Sequence, residues 1–268
     1  MGLVRSLIDK VTDILKALKN LTMPYEITDA FTSQPIKVVV GRGDRQKLFF
    51  IHKKFFETKA SIFNIILSGA IEEETENWLE LPDVSSGTFE VFSEWLYWGT
   101  LTSLCDVRLV PSDLRWKILK TIIFADKYCL VELHDRALSI LVHNHPGIIS
   151  FHDLKLITTY VIDNAAPDCN IRPFLARMWA WYIHSHNETG DYLSGHPDLE
   201  PFACDTSFVA EVFSYVGPQE DIPFTEDFAC DFHIHQALDT CPYECFDGLN
   251  GVSATVVHTP SDVAELGP

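Results

Sequence analysis

Three groups of side chains in this sequence have the types and spacing for chemistry. The first centres on His52, in "FFIHKKFFETKASIFNIILSG", residues 49–69. A histidine can act as a general base when a nucleophile or carboxylate lies within hydrogen-bond reach. No Gly-x-Ser-x-Gly or comparable signature accompanies it, so His52 reads as a structural core histidine at a strand end, and no catalytic residue is assigned. The second group is Cys230, His233, His235, Cys241 and Cys245, all of zinc-ligand type. Their spacing lacks the two close pairs of a standard finger, and Phe232 and Ile234 alternate with the histidines. Free thiols, with no metal and no cofactor, are therefore expected. The third is Ile71-Glu72-Glu73 in "GAIEEETENW", an apolar residue beside acids. That composition suits docking on a partner, and it also suits a solvated acidic loop. Arg42-Gly43-Asp44 reads as turn chemistry.

These residues need a scaffold, and the composition supplies one. The chain has 268 residues, 47% hydrophobic and 22% charged, enough to bury a core. No apolar run reaches the roughly 20 residues that a membrane helix needs, and the first twenty residues do not read as a secretory signal. The seven cysteines, an odd number without paired spacing, fit a reducing compartment, so an intracellular location in cytoplasm or nucleus is expected. The net charge of −18 is uneven: Arg177 is the last Lys or Arg, and 16 Asp and Glu follow it. Such a one-sign surface repels nucleic acid and anionic lipid.

Periodicity gives the elements. Residues 3–20 predict an amphipathic helix with Leu3, Leu7, Val11, Ile14, Leu15 and Leu18 on one face. Gly2 and Ser6 match an acylation pattern, but one acyl chain anchors only marginally, and a membrane association is not expected. "PIKVVVG" and "KLFFIH" flank "GRGDRQ" as a β-hairpin. Two short helices follow, with Ser61 as N-cap and Gly69 as stop, and then a strand at "WLELPDV". Helices are expected from Ser85 or Ser86 to Gly99, over 111–130 and 131–144, and over 150–163, 172–186, 207–215 and 224–238. Trp98 falls off the apolar face of its helix and is expected to be exposed.

Several separated motifs resemble the BTB/POZ domain. "IKVVVG…KLFFIHKKFFETKASIFNIIL" is similar to its strand ending in histidine, then a basic residue, a short helix and Ser-x-x-Phe; here these are His52, Lys53, Ser61 and Phe63. "LELPDVSSGTFEVFSEWLYWGTL" resembles its strand, Asp-Val and helix ending in Tyr-x-Gly, here Asp83, Val84, Tyr97 and Gly99. "ADKYCLVEL" looks like its pivot between two helices. The resemblance covers roughly 34–145, and "VIDNAAPDCNIRPFLARMWAW" extends it, more loosely, towards filamentous-fungal BTB proteins. Lys37-Val38 stands where many animal members have Asp-Val, and residues 21–35 hold no clear counterpart of their swapped strand.

The expected fold class is α/β (α+β). An N-terminal helix and linker (1–30) precede a BTB/POZ-like domain (31–145), an all-helical extension (146–247) and a flexible acidic tail (248–268). The resemblance implies a non-catalytic protein–protein interaction module, with Ile71, Glu72, Glu73 and Trp98 meeting the partner. That partner is a cullin-type ubiquitin ligase subunit or, alternatively, a second copy in a self-associating or transcription-associated scaffold. A metal-binding C-terminal domain and a peripheral membrane protein are the remaining alternatives, and no direct nucleic-acid contact is expected.

Overall fold

The computed structural model describes residues 27–70, 78–106, 109–144, 151–186, 199, 202–216 and 231–234. It is a mixed α/β structure, mostly helical, with one three-stranded sheet. The chain divides into two compact units. One takes the described residues up to Val39 and those from Lys47 to Leu81; the other takes Val40–Gln46 and those from Pro82 onward. They are called the sheet unit and the helical unit below.

In the sheet unit, β1 (Pro35–Val40) lies between β2 (Lys47–His52) and β3 (Trp78–Leu81). The middle strand has the most continuous apolar run, and Ile36, Val38, Val39 and Val40 are all buried. The outer strand β3 alternates: Leu79 and Leu81 face the core, while Trp78 and Glu80 face out. The β1–β2 connection is looser than a two-residue hairpin turn, with six residues and a 3-10 turn at Gly43–Arg45. Gly41 starts it at φ +87°, and a Cβ there would lie 2.9 Å from the Arg45 carbonyl oxygen.

Helices α1 (Ile27–Thr32), α2 (Lys53–Lys59) and α3 (Ser61–Ala70) complete this unit. The N-terminal amides of α2 need acceptors. Lys53 N–H donates to the Gln34 carbonyl at 3.0 Å and Lys54 N–H to Ser33 Oγ at 3.2 Å, so the residues just after α1 cap α2. Phe56 and Phe63, both fully buried with ring centroids 5.1 Å apart, join α2 to α3. Helix α3 begins at Ser61 itself, so Ser61 is not the N-cap expected from the sequence, and the helix runs past Gly69 to Ala70.

The helical unit opens with α4 (Ser86–Trp98), where Ser85 Oγ accepts from Thr88 N–H at 3.2 Å. It ends at Gly99, in the left-handed conformation at φ +65°. Helices α5 (Pro111–Lys127), α6 (Val131–Asn144), α7 (Phe151–Asn164), α8 (Ile171–His186) and α9 (Thr206–Tyr215) follow. α5 packs against α4 and α6, and α8 against α7 and α9. The stop of α5 is a Schellman motif, with Leu130 N–H bonded to the Ala125 carbonyl (2.8 Å) and Cys129 N–H to that of Asp126 (3.0 Å). Its left-handed position, usually glycine, is Cys129 at φ +51°.

Two aromatic clusters fill this unit. Phe92 meets Phe89 and Phe124 at 5.3 and 5.2 Å, and Trp179 and Phe208 flank Phe202 at 5.4 and 5.9 Å. Each such side chain contributes about 2–3 kcal/mol on burial. The helix expected over 224–238 is corrected at the residues described there: Asp231 and Phe232 form a turn, and His233 and Ile234 are irregular. Ile234 N–H bonds to the Asp135 carboxylate 99 residues away, so it makes no helical bond. Residues 1–26, with the expected amphipathic helix, and 248–268 lie outside the described residues.

Candidate functional site

His52 is the last residue of β2 and the residue before α2. It is half-buried, which corrects the expectation of a core histidine. Its ring stands edge-on to Phe31 at 5.6 Å and 6.4 Å from Phe55, so it closes the aromatic rim where α1, β2 and α2 meet. Phe63 is in the core and Ser61 is exposed. Asp83 lies on the surface and pairs with Arg42 at 2.5 Å, which gives the arginine of the Arg-Gly-Asp turn a local partner.

Tyr97, Trp98 and Gly99 form the end of α4. Tyr97 is half-buried and Trp98 is 60% exposed. The Gly99 carbonyl accepts from Arg136 Nη1 at 2.6 Å, and the same nitrogen donates to Glu132 Oε1 at 3.2 Å. Trp95 Nε1 donates to that oxygen too, at 3.2 Å. A buried arginine on α6 thus satisfies a helix-end carbonyl on α4. Glu94 fixes the next loop by accepting from Thr102 N–H (2.6 Å), Ser103 N–H (3.1 Å) and the Thr100 hydroxyl (3.1 Å). Burial pushes its carboxyl up, but the hydrogen bonds from Ser103, Thr102 and Thr100 outweigh this and hold it below its usual range.

Of the five zinc-type residues, His233 alone is described; Cys230, His235, Cys241 and Cys245 lie outside the described residues. Among the described residues no three His, Cys, Asp or Glu side chains converge as a metal site. His233 instead joins a polar cluster on α6. His134, Asp135 and Ser139 are each 0% exposed. His134 Nδ1 lies 2.8 Å from Asp135 Oδ1, which also accepts from Ile234 N–H at 2.9 Å. Burial pushes the Asp135 carboxyl up; the bonds from His134 and Ile234 and the nearby His233 and His134 overcome that and hold it below its usual range.

Ser139 Oγ donates to the Asp135 carbonyl at 2.9 Å and lies 3.0 Å from His233 Nε2. Which of the two donates depends on the imidazole tautomer. Together with the Ile234 N–H bond to Asp135, this contact holds residues 231–234 against α6. Sequence reasoning missed it, although a signal was present. Ser139 interrupts the apolar run Ala137–Val142 one turn after His134 and Asp135, and polar groups on the buried stretch of a helix must find partners.

A cleft of the helical unit between α4, α5 and α7 has a volume of about 460 Å³. Its lining includes Lys120 and Lys127 as well as Asp83 and Asp163, so it favours neither sign of ligand. Ser85 opens onto it but is committed to capping α4. The described cysteines 105, 129, 169 and 204 are free thiols. Cys169 is buried, and burial is the main reason its thiol is pushed up to about 12, so it is inert as a nucleophile near neutral pH.

Apolar side chains are exposed mainly on the sheet unit. Ile65 (68%) and Ile66 (36%) stand on α3, Leu48 (47%) and Phe50 (62%) on the edge strand β2, and Trp78 (39%) on β3 with Lys37 Nζ 5.4 Å from its ring centroid. Ile71, Glu72 and Glu73 follow α3 and lie outside the described residues. No described helix is long and apolar enough to cross a membrane. The chain matches no protein-family model and no curated protein.

Proposed function

We propose that this chain is a non-catalytic, intracellular protein–protein interaction module of BTB/POZ type, serving as a substrate adaptor for a cullin-type ubiquitin ligase. The supporting observation is the outer ridge of α3. Ile65 and Ile66 stand in solvent, and Ile71-Glu72-Glu73 follows within a few residues. Exposed aliphatic anchors leading into an acidic stretch have the make-up of a docking surface, an apolar centre with a polar rim. A surface of this kind needs neither metal nor cofactor. The helical extension would then carry a further partner.

Size-exclusion chromatography with light scattering tests this, on the protein alone and mixed with a cullin N-terminal domain. The expected result is a 1:1 complex that is lost on Ile65→Asp and on Glu73→Lys. Absence of a complex with any cullin domain would sink the adaptor role. A second reading, self-association, is favoured by Leu48 and Phe50 on the edge strand β2, since an apolar edge invites pairing. It predicts a dimer of the 30.4 kDa chain that Phe50→Lys makes monomeric; a wild-type monomer would end it.

A further inference from the structure

Asp231–Ile234 is held on α6 and α8 one residue at a time. The Asp231 carboxylate meets Arg177 at 3.0 Å. The Phe232 ring is 7% exposed; it stands edge-on to Phe174, centroids 5.8 Å apart, and the Arg177 guanidinium lies 5.8 Å from its centre. His233 Nε2 lies 3.0 Å from Ser139 Oγ, and Ile234 N–H donates to Asp135 Oδ1. Four consecutive residues thus meet four different complementary groups, and none of them belongs to a helix or strand.

We propose that this face of α6 and α8 is a peptide-recognition site. Its ligand is a partner segment of the pattern acid–aromatic–histidine–aliphatic, and the chain's own Asp231–Ile234 is its resident competitor. The anatomy is that of peptide binding: one buried aromatic anchor, ringed by polar contacts that fix register. Of the four only Phe232 is buried, whereas the Asp231 side chain is 59% exposed and His233 and Ile234 are half-buried. Such a grip is specific yet shallow. A tethered segment occupies it through high effective concentration, and a partner must outcompete the tether. Pre-built partners support the assignment: Asp135 and Ser139 are fully buried and held by His134 and by the α6 backbone, so the site's polar groups are in place before the segment arrives. The site owes nothing to the α3 ridge, so it stands whether or not a cullin binds.

The test uses the full chain and a fluorescein-labelled synthetic peptide of residues 229–236, read by fluorescence anisotropy. Phe232→Ala empties the site, and the peptide is expected to bind that chain at least about tenfold more tightly than wild type, the gain coming from loss of the tethered competitor. Adding Arg177→Glu to the same chain is expected to remove about tenfold or more of that affinity, as loss of an anchor does. Equal affinity for the first two chains, indifference to Arg177→Glu, or no binding to any of them overturns the proposal. If circular dichroism shows Phe232→Ala unfolded, Asp231→Lys at the exposed end replaces it, with an expected gain of about threefold; no gain likewise overturns the proposal.

Discussion

In the sheet unit, Leu48, Phe50, Ile65 and Trp78 stand 39–68% exposed; in the helical unit, His134, Asp135, Ser139 and Thr158 are fully buried. One unit puts apolar groups outside and the other puts polar groups inside. The helical unit also exposes Trp98, Val110, Val131 and Leu156, but these are scattered singly over different segments, as on any soluble surface. Buried polar groups act as directional cross-links. Trp179 Nε1 donates to Thr158 Oγ1 at 2.8 Å, and that hydroxyl donates on to the Leu154 carbonyl. Such pairs fix one arrangement and are costly to break singly, whereas an exposed apolar ridge adds little to folding and can be covered by something else. The buried polar pairs of the helical unit therefore specify its fold, whereas the exposed apolar residues of the sheet unit could be exchanged with little effect on stability.

Acid should separate the two units most. Asp135, Glu94 and Asp205 all belong to the helical unit and all have carboxyls held below their usual range. For Asp205, burial pushes up, and Arg172, Phe208 N–H and Ser207 more than offset it. A depressed carboxyl stabilises the fold above its unfolded pKa, and the contribution disappears as pH falls through the lower folded value. Glu211, pushed up chiefly by burial, acts in the opposite sense. Stability should therefore hold down to about pH 5 and fall below about pH 4. Hydrogen exchange at pH 3 should show α6 and α9 losing protection before α2 and α3; the reverse order would mean that the buried carboxylates do not set the acid stability of the helical unit.

Asp135→Ala comes next. It leaves His134 Nδ1 and Ile234 N–H without their acceptor and should cost about 3 kcal/mol in denaturant unfolding. A wild-type midpoint would mean that the buried cluster is not a cross-link. Cys129→Gly relieves a left-handed non-glycine residue and should raise stability by about 1 kcal/mol; a loss would show that the cysteine side chain offsets its own strain. Ile65→Asp and Phe50→Ser should stay within about 0.5 kcal/mol of wild type while changing association, as surface substitutions do. Arg42→Ala should be smallest, within about 0.5 kcal/mol, because the Arg42 and Asp83 side chains are 72% and 61% exposed and water screens the pair.

The regular elements were legible because their patterns are local. A short apolar run beside turn residues found β1, and the spacing of Phe89, Phe92 and Leu96 found α4, whose Ser85 cap and Gly99 stop were also readable. The helix 111–130 was read three residues too long, because the stop at Lys127 depends on a cysteine adopting a glycine's conformation. His52 was placed at its strand end correctly but too deep. Its burial depends on Phe31, 21 residues earlier, and pattern says nothing about that contact. The 231–234 segment was hidden for the same reason: the partners of its polar groups lie on α6 and α8, beyond any sequence window. Its own pattern, histidines alternating with Phe232 and Ile234, has a period of two and argues against the helix that was expected.

Arg172 and Arg177, one and a half turns apart on α8, are the last two fixed cations in the chain. They hold Asp205 and Asp231, the first at the cap of α9 and the second at the 231–234 segment. A polypeptide made from its N-terminus releases both arginines well before either acid. The ninety-one residues after Arg177 contain no Lys or Arg, so near neutral pH they bring no fixed positive charge to offset their acids. α8 is thus the mooring for the cap of α9 and for residues 231–234, and both of its cations are made before the acids they hold.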